Sequence, residues 1–537
     1  MANRLFNRVP ISKPGRNLFD LSHESLVTCK MGQYVPFLLQ EIVPGDTFKV
    51  SSEIFARFAP LRAPVMHNID VVCHYFFVPN RLVYDKWEDF ITGGEQGTDV
   101  VPFPTVTPPM DPDLGLYTEG SLWDYMNLPT GADEGSSLPK VSALPFRAYQ
   151  LIYNEYIRDQ TLIDEVPITK NSTVSFSEAR DILQLRNKCW EKDYFTSALP
   201  NPQRGGDVHL PLQGEAPVNL QQVDGVYPVG HWLQSNGLAA PQGDAALRGA
   251  GTGGADTVLA KKVDTGQSPG VTYDPNGGLF ADMSAVTSTT VNELRRAMRL
   301  QTWLEKQARG GSRYIETIRS HFGVRSSDAR LQRPEFLGGF RKPVQISEVL
   351  QTSESQQTPQ GTMAGHSATY TNNRAFKRFF EEHGYVIGCM CFIPRTSYFQ
   401  GVPRHFMKFD KFDYYWPEFA HLGEQEVKDI ELFFDTTKSQ ENQQGTFGYQ
   451  SRYSEYKFAL NQVHGLFRSE LLFWHLARNF STMPKLNGDF VTAHPSERIF
   501  PIDDETAEIL WAQPIWVQLY NDVKALRPMP RFGEPTL

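Results

Sequence analysis

A mainly β chain, built as a β-sandwich elaborated by long insertions and a few helices, is what three features of the sequence predict. The first is period-two patterning: Phe48, Val50, Ser52, Ile54, Ala56 and Phe58 alternate with Lys49, Ser51, Glu53 and Arg57, which marks a half-buried strand. The second is Ile69–Val78 (IDVVCHYFFV), apolar at nearly every position and so expected to be a strand covered on both faces. The third is the spacing: short strand-like runs are separated by long Pro-, Gly- and Asp-containing stretches, with few helical patterns between them.

Taken in order, residues 1–33 contain Pro and Arg, show weak patterning and read as an N-terminal arm. From Met1 to Phe19 there are four basic residues, Arg4, Arg8, Lys13 and Arg16, and no acidic one. The core opens at Tyr34. Pro60 and Pro64 force a connection between the first two strands. Pro79 closes the second, and Asn80 is placed to cap a helix carrying Leu82, Val83, Trp87, Phe90 and Ile91, stopped by Gly93-Gly94. Residues 95–140 read as a long ordered loop. Ala143–Asp159 has apolar residues at helical spacing, including Phe146, Tyr149, Ile152, Tyr153 and Tyr156.

Residues 205–289 hold 15 of the chain's 41 Gly but only four aromatics, Tyr227, Trp232, Tyr273 and Phe280. Such a stretch has little to bury and reads as a surface insertion. Patterning resumes at Val291–Ala308, with Thr290 as N-cap and Gly310-Gly311 as terminator. A short helix over Ser312–Phe322 follows, ended by Gly323. Residues 353–373, rich in Gln, Ser and Thr, read as a loop. Tyr385–Ile393 is a strand, Phe409–His421 an aromatic cluster and Arg468–Phe480 a helix. Ile515–Ala525 is a strand with Ile515, Val517, Leu519, Val523 and Ala525 on one face.

Composition excludes several classes. A hydrophobic fraction of 40% with 12% aromatics supports a sizeable core. Lys and Arg number 52 against 61 Asp and Glu, a net charge of −9, so the whole chain is no polycation for nucleic acid. Five cysteines, Cys29, Cys73, Cys189, Cys389 and Cys391, argue against a disulfide framework. Met1–Pro10 lacks the apolar core of a signal peptide, and no run approaches the roughly 18 residues of a membrane span. A soluble protein made in cytoplasm is expected.

Candidate chemistry is sparse. Gly249-Ala250-Gly251-Thr252-Gly253-Gly254 matches G-x-G-x-x-G, with Asp274 beyond it, but lacks the strand before and helix after that a dinucleotide needs. Flexible loop is the preferred reading. Cys389 and Cys391 share one face of a strand without a second ligand pair, so buried small hydrophobes are expected rather than zinc ligands. Glu381-Glu382-His383-Gly384 reads as a turn, and His67 and His74, seven apart, fall on opposite faces. Asp503-Asp504 could pair in space with another carboxylate, as glycosidases require. No catalytic, cofactor or metal residue is assigned. The basic arm divides evenly between a solvated terminus and a phosphate contact.

Several stretches together resemble the major capsid protein of gokushoviruses, small icosahedral bacteriophages of the microvirus group (Microviridae) with circular single-stranded DNA. They are FDLSHES (Phe19–Ser25), FFVPNRLVYDKWEDFITGG (Phe76–Gly94), ARGGSRYIETIRSHFGVRSSDARLQRPEFLGG (Ala308–Gly339), EHGYVIG (Glu382–Gly388), FAHLGEQEV (Phe419–Val427), VHGLFRSELLFWHLARNF (Val463–Phe480) and VKALRPMPRFGEPTL (Val523–Leu537). The apolar CMCFIPR after Gly388 departs from the polar segment of many relatives. The resemblance implies a single eight-stranded jelly-roll domain over residues 34–537, tiling a T=1 shell, with residues 205–289 as a protrusion near the three-fold axes. Implied partners are copies of itself, a pilot protein, a small basic DNA-binding protein, an internal scaffolding protein, the single-stranded DNA genome and a host surface receptor. It implies no enzyme activity and no cofactor, and localisation in the virion after assembly in the host cytoplasm. Tyr227, Trp232, Tyr273 and Phe280 would then lie in a receptor-facing insertion, and Arg4, Arg8, Lys13 and Arg16 near the DNA. The rival readings are a β-sandwich carbohydrate-active enzyme and a monomeric receptor-binding module.

Overall fold

The period-two stretch at Thr47–Phe58 and the apolar run at Ile69–Pro79 form neighbouring strands in sequence but lie in two different sheets. The computed structural model describes residues 15–95, 98–109, 114–130, 138–206, 208, 290–311, 313–350, 363–439, 443–501 and 513–532, with short segments 218–220, 232–234, 271–273 and 279–281. Two compact units divide the chain: Met1–Arg204 with Glu305–Leu537, and Gly205–Leu304.

Ten strands of the larger unit build its two main sheets: β1 (Asn17–Asp20), β2 (His23–Cys29), β3 (Val35–Ile42), β4 (Thr47–Phe58), β5 (Ile69–Pro79), β6 (Glu335–Pro343), β7 (Ile346–Leu350), β8 (Met363–Phe379), β9 (Gly384–Pro394) and β10 (Ile515–Arg527). One sheet runs β1-β10-β4-β8-β7, with β2 pairing the same strand β10 beyond β1; the other runs β6-β5-β9-β3. All these pairings are antiparallel.

The first core lies between the sheets. Phe48, Val50, Ile54, Ala56 and Phe58 of β4 point inward with Val517, Leu519 and Val523 of β10, and meet Val71, Tyr75 and Phe77 of β5 and Met390 and Phe392 of β9. Phe58 meets Phe392 edge to face at 5.9 Å across the sandwich, a favoured aromatic geometry. The inward polar position Ser52 donates its hydroxyl to Oδ1 of the buried Asn521 at 2.7 Å, so this break in the alternation is satisfied in place.

The opposite face of β5 and β9 is buried as well. Val72, Phe76, Val78, Ile387, Cys389, Cys391 and Ile393 form a second core with the helix Leu144–Ile152 and the loops before it. In that layer Trp123 stacks on Phe146 at 5.9 Å. Beneath it Arg147 and Glu178 form an ion pair at 2.9 Å, with both side chains almost fully buried. Arg147 also donates to the carbonyls of Val83 (3.2 Å) and Asn171 (2.9 Å), and Glu178 accepts from Thr169 Oγ1 at 2.7 Å.

Several sequence expectations are corrected. The arm expected over residues 1–33 does not hold for 17–29, where β1 and β2 extend the sheet along β10. The single helix from Asn80 is instead a 3-10 turn, Asn80–Leu82, and a helix, Trp87–Thr92. Val83 and Tyr84 are buried between them, and the Asp85 amide donates to Lys170 O. The loop expected through 373 is strand from Met363 onward, because Ser367, Thr369 and Thr371 turn inward and Thr suits a pleated surface. The helix expected over Arg468–Phe480 is two 3-10 turns, Gly465–Arg468 and Leu472–Trp474. There Arg498 captures the carbonyls of Leu472 and Ala477, and the Met66 amide captures that of Trp474. His67 precedes β5 rather than lying in it. The Thr290 cap is present: its hydroxyl accepts from the Glu293 amide at 3.2 Å.

Two predictions follow from the buried sheet. Phe392→Ala removes a ring that is fully buried between the sheets and should cost about 3–5 kcal/mol, read as a lower denaturation midpoint; an unchanged midpoint refutes the packing. His74 sits on the second face of β5, with Tyr34 Oη at 3.2 Å from Nδ1, Phe76 and Phe336 rings beside it and Lys188 nearby. Burial, with Lys188 adding to it, holds its imidazole down to about 4 from an ordinary 6.5. The unfolded chain therefore takes up the proton first as pH falls. Stability from His74 should be complete above pH 6.5 and decline between 6.5 and 4; His74→Phe should flatten that slope in unfolding measurements across the window.

Candidate assembly surfaces

A strand pair buried on both sides offers few functional side chains, so chemistry and contacts fall to the loops. Among the described residues, no three His, Cys, Asp or Glu side chains converge as a metal site. Cys389 and Cys391 face the second core, and burial raises both thiols, that of Cys391 to about 12. They pack as small hydrophobes and are poor nucleophiles at neutral pH. Glu382 accepts from Arg81 Nε at 2.5 Å and Nη2 at 3.0 Å, pinning the turn before β9 to the one after β5. Asp503-Asp504 lies outside the described residues.

Of the four basic arm residues, Arg4, Arg8 and Lys13 lie outside the described residues. Arg16 is exposed beside the sheet edge. It donates to Gly45 O and, at 2.9 Å, to Thr47 Oγ1, with its guanidinium 5.5 Å from the Phe379 ring centroid. Of the four insertion aromatics, Tyr227 and the G-x-G-x-x-G match lie outside the described residues. Trp232 and Tyr273 are opposite each other in the antiparallel pair Trp232–Gln234 with Val271–Tyr273. Phe280 is opposite Asn219 in a second pair, Leu279–Ala281 with Val218–Leu220. These pairs bring Trp232 and Tyr273 together and leave Phe280 in the other ribbon.

Among the described residues of the larger unit, exposed aromatic side chains are concentrated between Arg404 and Leu422. Three 3-10 turns, Arg404–Phe406, Lys411–Asp413 and Pro417–Phe419, carry it. Asp413 Oδ2 accepts from the amides of Phe409 and Asp410, both at 2.9 Å, and Trp416 Nε1 donates to Lys411 O at 2.8 Å. Lys408, nearly buried, pairs with Glu455 at 3.0 Å and lies 3.9 Å from the Tyr456 ring centroid. Below the segment Tyr453 takes a left-handed conformation, φ 60°, costly for a non-glycine residue unless its surroundings impose it. They do: Gln425 accepts from its amide at 2.9 Å, and its hydroxyl accepts from Trp416 N at 3.3 Å. Beside Phe406 a groove of about 530 Å³ is lined by Tyr398, Phe399, Phe458 and His464. At its floor Arg404 donates to Glu431 at 2.9 Å, while Tyr194 donates to the same carboxylate at 2.8 Å.

Sequence reasoning located the aromatic cluster but gave it no role, because exposure is not encoded in composition. It missed Arg147 and Glu178, which lie 31 residues apart and carry no motif.

Among the described residues no catalytic constellation is assembled, and the role follows from comparison with known proteins. The model of the family described as "Capsid protein (F protein)" matches residues 7–537. The chain is 35% identical to capsid protein VP1 of Chlamydia phage 1, covering 100% of this chain and 98% of that protein. It is 36% identical to capsid protein VP1 of Bdellovibrio phage phiMH2K, covering 99% and 97%. It is 32% identical to capsid protein VP1 of Spiroplasma virus 4, covering 99% and 96%. The chain belongs to the F-protein family of phage capsid proteins, and its role is that of a virion structural protein rather than an enzyme.

Proposed function

We propose that the chain forms a T=1 icosahedral shell around a circular single-stranded DNA genome, and that its sandwich is an eight-stranded jelly roll. One observation carries the fold reading. Leaving aside the edge strands β1 and β7, the sheets run β2-β10-β4-β8 and β3-β9-β5-β6. The chain alternates between the sheets from β2 through β5, crosses back after β6, and alternates again from β8 to β10. Antiparallel crossing of this kind is how double-sheet jelly rolls close their cores. Full-length similarity to capsid proteins supports the shell reading, since symmetric closure asks only for complementary patches on one chain.

In this reading the partners are other copies of the chain, a pilot protein, a small basic DNA-binding protein and an internal scaffolding protein, and assembly takes place in the host cytoplasm. Residues 205–289 are a surface protrusion of the capsid domain that contributes to host attachment, with Tyr227, Trp232, Tyr273 and Phe280 as its aromatic contacts. The segment before Asn17 meets the genome through Arg4, Arg8 and Lys13, with Arg16 where that segment joins the sheet.

Co-produced with its scaffolding partner, the chain should sediment as a particle of tens of copies; a stable 60.9 kDa monomer under those conditions refutes the shell. In the same preparation, replacing Arg4, Arg8 and Lys13 by Gln, with Arg16 kept on the sheet, should lower DNA retention without changing the empty shell. Three phosphate contacts on single-stranded DNA correspond to a salt slope of about −2. Loss of empty shells instead would make the arm a subunit clamp.

Replacing Gly206–Ser288 with a short Gly/Ser linker should leave the sandwich folded, because a Gly-rich stretch with four aromatics has little apolar surface to bury, and should reduce adsorption to host cells. Loss of soluble folding would make the segment part of the core.

A further inference from the structure

We infer that the aromatic segment Arg404–Leu422 is a contact surface for a second copy of this chain. The inference rests on the shell reading above and names the surface that reading leaves open.

Phe406, Phe409, Phe412, Tyr414, Tyr415 and Trp416 are exposed to between 44% and 82%. At roughly 200 Å² per aromatic side chain, the six rings present about 700 Å². That exceeds the largest apolar patch of an ordinary monomer, roughly 300–600 Å². It approaches the roughly 800 Å² each partner brings to a standard protein interface. The residue types agree, since Phe, Tyr, Trp and Met, here joined by Met407, are enriched at such interfaces.

The surface is also held in shape before any partner arrives. The Asp410 and Asp413 caps, the Trp416 indole bond and the Lys408–Glu455 pair fix the turns. Phe412 meets Phe419 at 5.8 Å and Tyr415 meets Tyr453 at 5.0 Å, so exposed rings rest on further rings. Little ordering entropy remains to be lost on contact, which favours association.

Charge selects a protein over nucleic acid. Within the segment Arg404, Lys408 and Lys411 are matched by Asp410, Asp413 and Glu418. Arg404 is committed to Glu431 and Lys408 to Glu455. A platform for single-stranded DNA would need a basic groove beside its stacking rings. A copy of the chain, by contrast, brings apolar surface of its own: Leu26, Met66 and Leu466 are each more than 60% exposed.

The test uses the full chain co-produced with its scaffolding partner. Phe409→Glu and Phe406→Glu, made singly, should raise the concentration needed for particle formation at least tenfold while leaving the unfolding midpoint unchanged. A photo-cross-linking benzoylphenylalanine at position 409, in wild-type background, should join peptides from two copies of this chain within the particle. Particles forming normally from both variants would overturn the inference and leave the shell reading intact. So would cross-links only to DNA or to another virion protein. A wild-type chain that never forms particles would overturn the shell reading, and this inference with it.

Discussion

Burial of one sheet on both faces is the constraint from which the rest of this structure follows. Strands β5 and β9 sit at the centre of the four-stranded sheet, with one core against the opposing sheet and another beneath the helix Leu144–Ile152. Little water reaches either face, so the side chains along these strands are mostly apolar or hydrogen-bonded. Asp70 shows the second solution: 1% exposed, it accepts from Arg341 Nε at 2.9 Å and Arg395 Nε at 3.2 Å, which tie β5 to its neighbours β6 and β9. Removing both arginines would leave the Asp70 charge buried and uncompensated, which costs more than the pairing itself contributes.

A sheet stabilised from both sides can carry long connections without depending on them. The Arg147–Glu178 pair joins the helix Leu144–Ile152 to the helix Phe176–Ile182 and reaches the loops at Val83 and Asn171. It thereby turns a connection of more than a hundred residues into an ordered layer. The Glu178 amide also donates to the Ser175 hydroxyl at 3.2 Å, which caps the second helix at its N-terminus. Ordered loops on a rigid sandwich are what a capsid protein requires. Each copy must present several surfaces at fixed angles, and small errors accumulate around a closed shell.

The strands legible in the sequence were those whose pattern is set by burial alone. In β4 and β10 one face is apolar, and in β5 and β9 both are. Of the strands that were missed, β8, β1 and β2 are polar for a structural reason. β8 places Ser367, Thr369 and Thr371 inward, and β1 and β2 alternate between half-buried and exposed positions along the edge of β10. Helical periodicity misled at Arg468–Phe480 because carbonyls that a helix would use are taken by Arg498 and the Met66 amide. Periodicity counts side chains and is blind to a remote backbone donor. For the site, the aromatic cluster was visible but its exposure was not, since Phe409 at 82% exposed and the fully buried Phe392 are the same letter. Residue type becomes a statement about surface only once the fold says which face is already occupied.

Net charge raises a last physical question, because a chain at −9 is proposed to enclose a polyanion. Screening resolves it. At physiological salt the Debye length is roughly 8 Å, so the charge total of a shell is not felt by phosphates inside it; only groups within about that distance are. Location therefore decides, and the chain concentrates unopposed positive charge in the segment before Asn17. Arg16 fixes where that segment leaves the sheet, through its bonds to Gly45 and Thr47. Acidic residues elsewhere can serve solubility and copy-to-copy contacts without repelling the genome. On that proposal, a basic packaging protein would need to neutralise only those phosphates that no arm reaches.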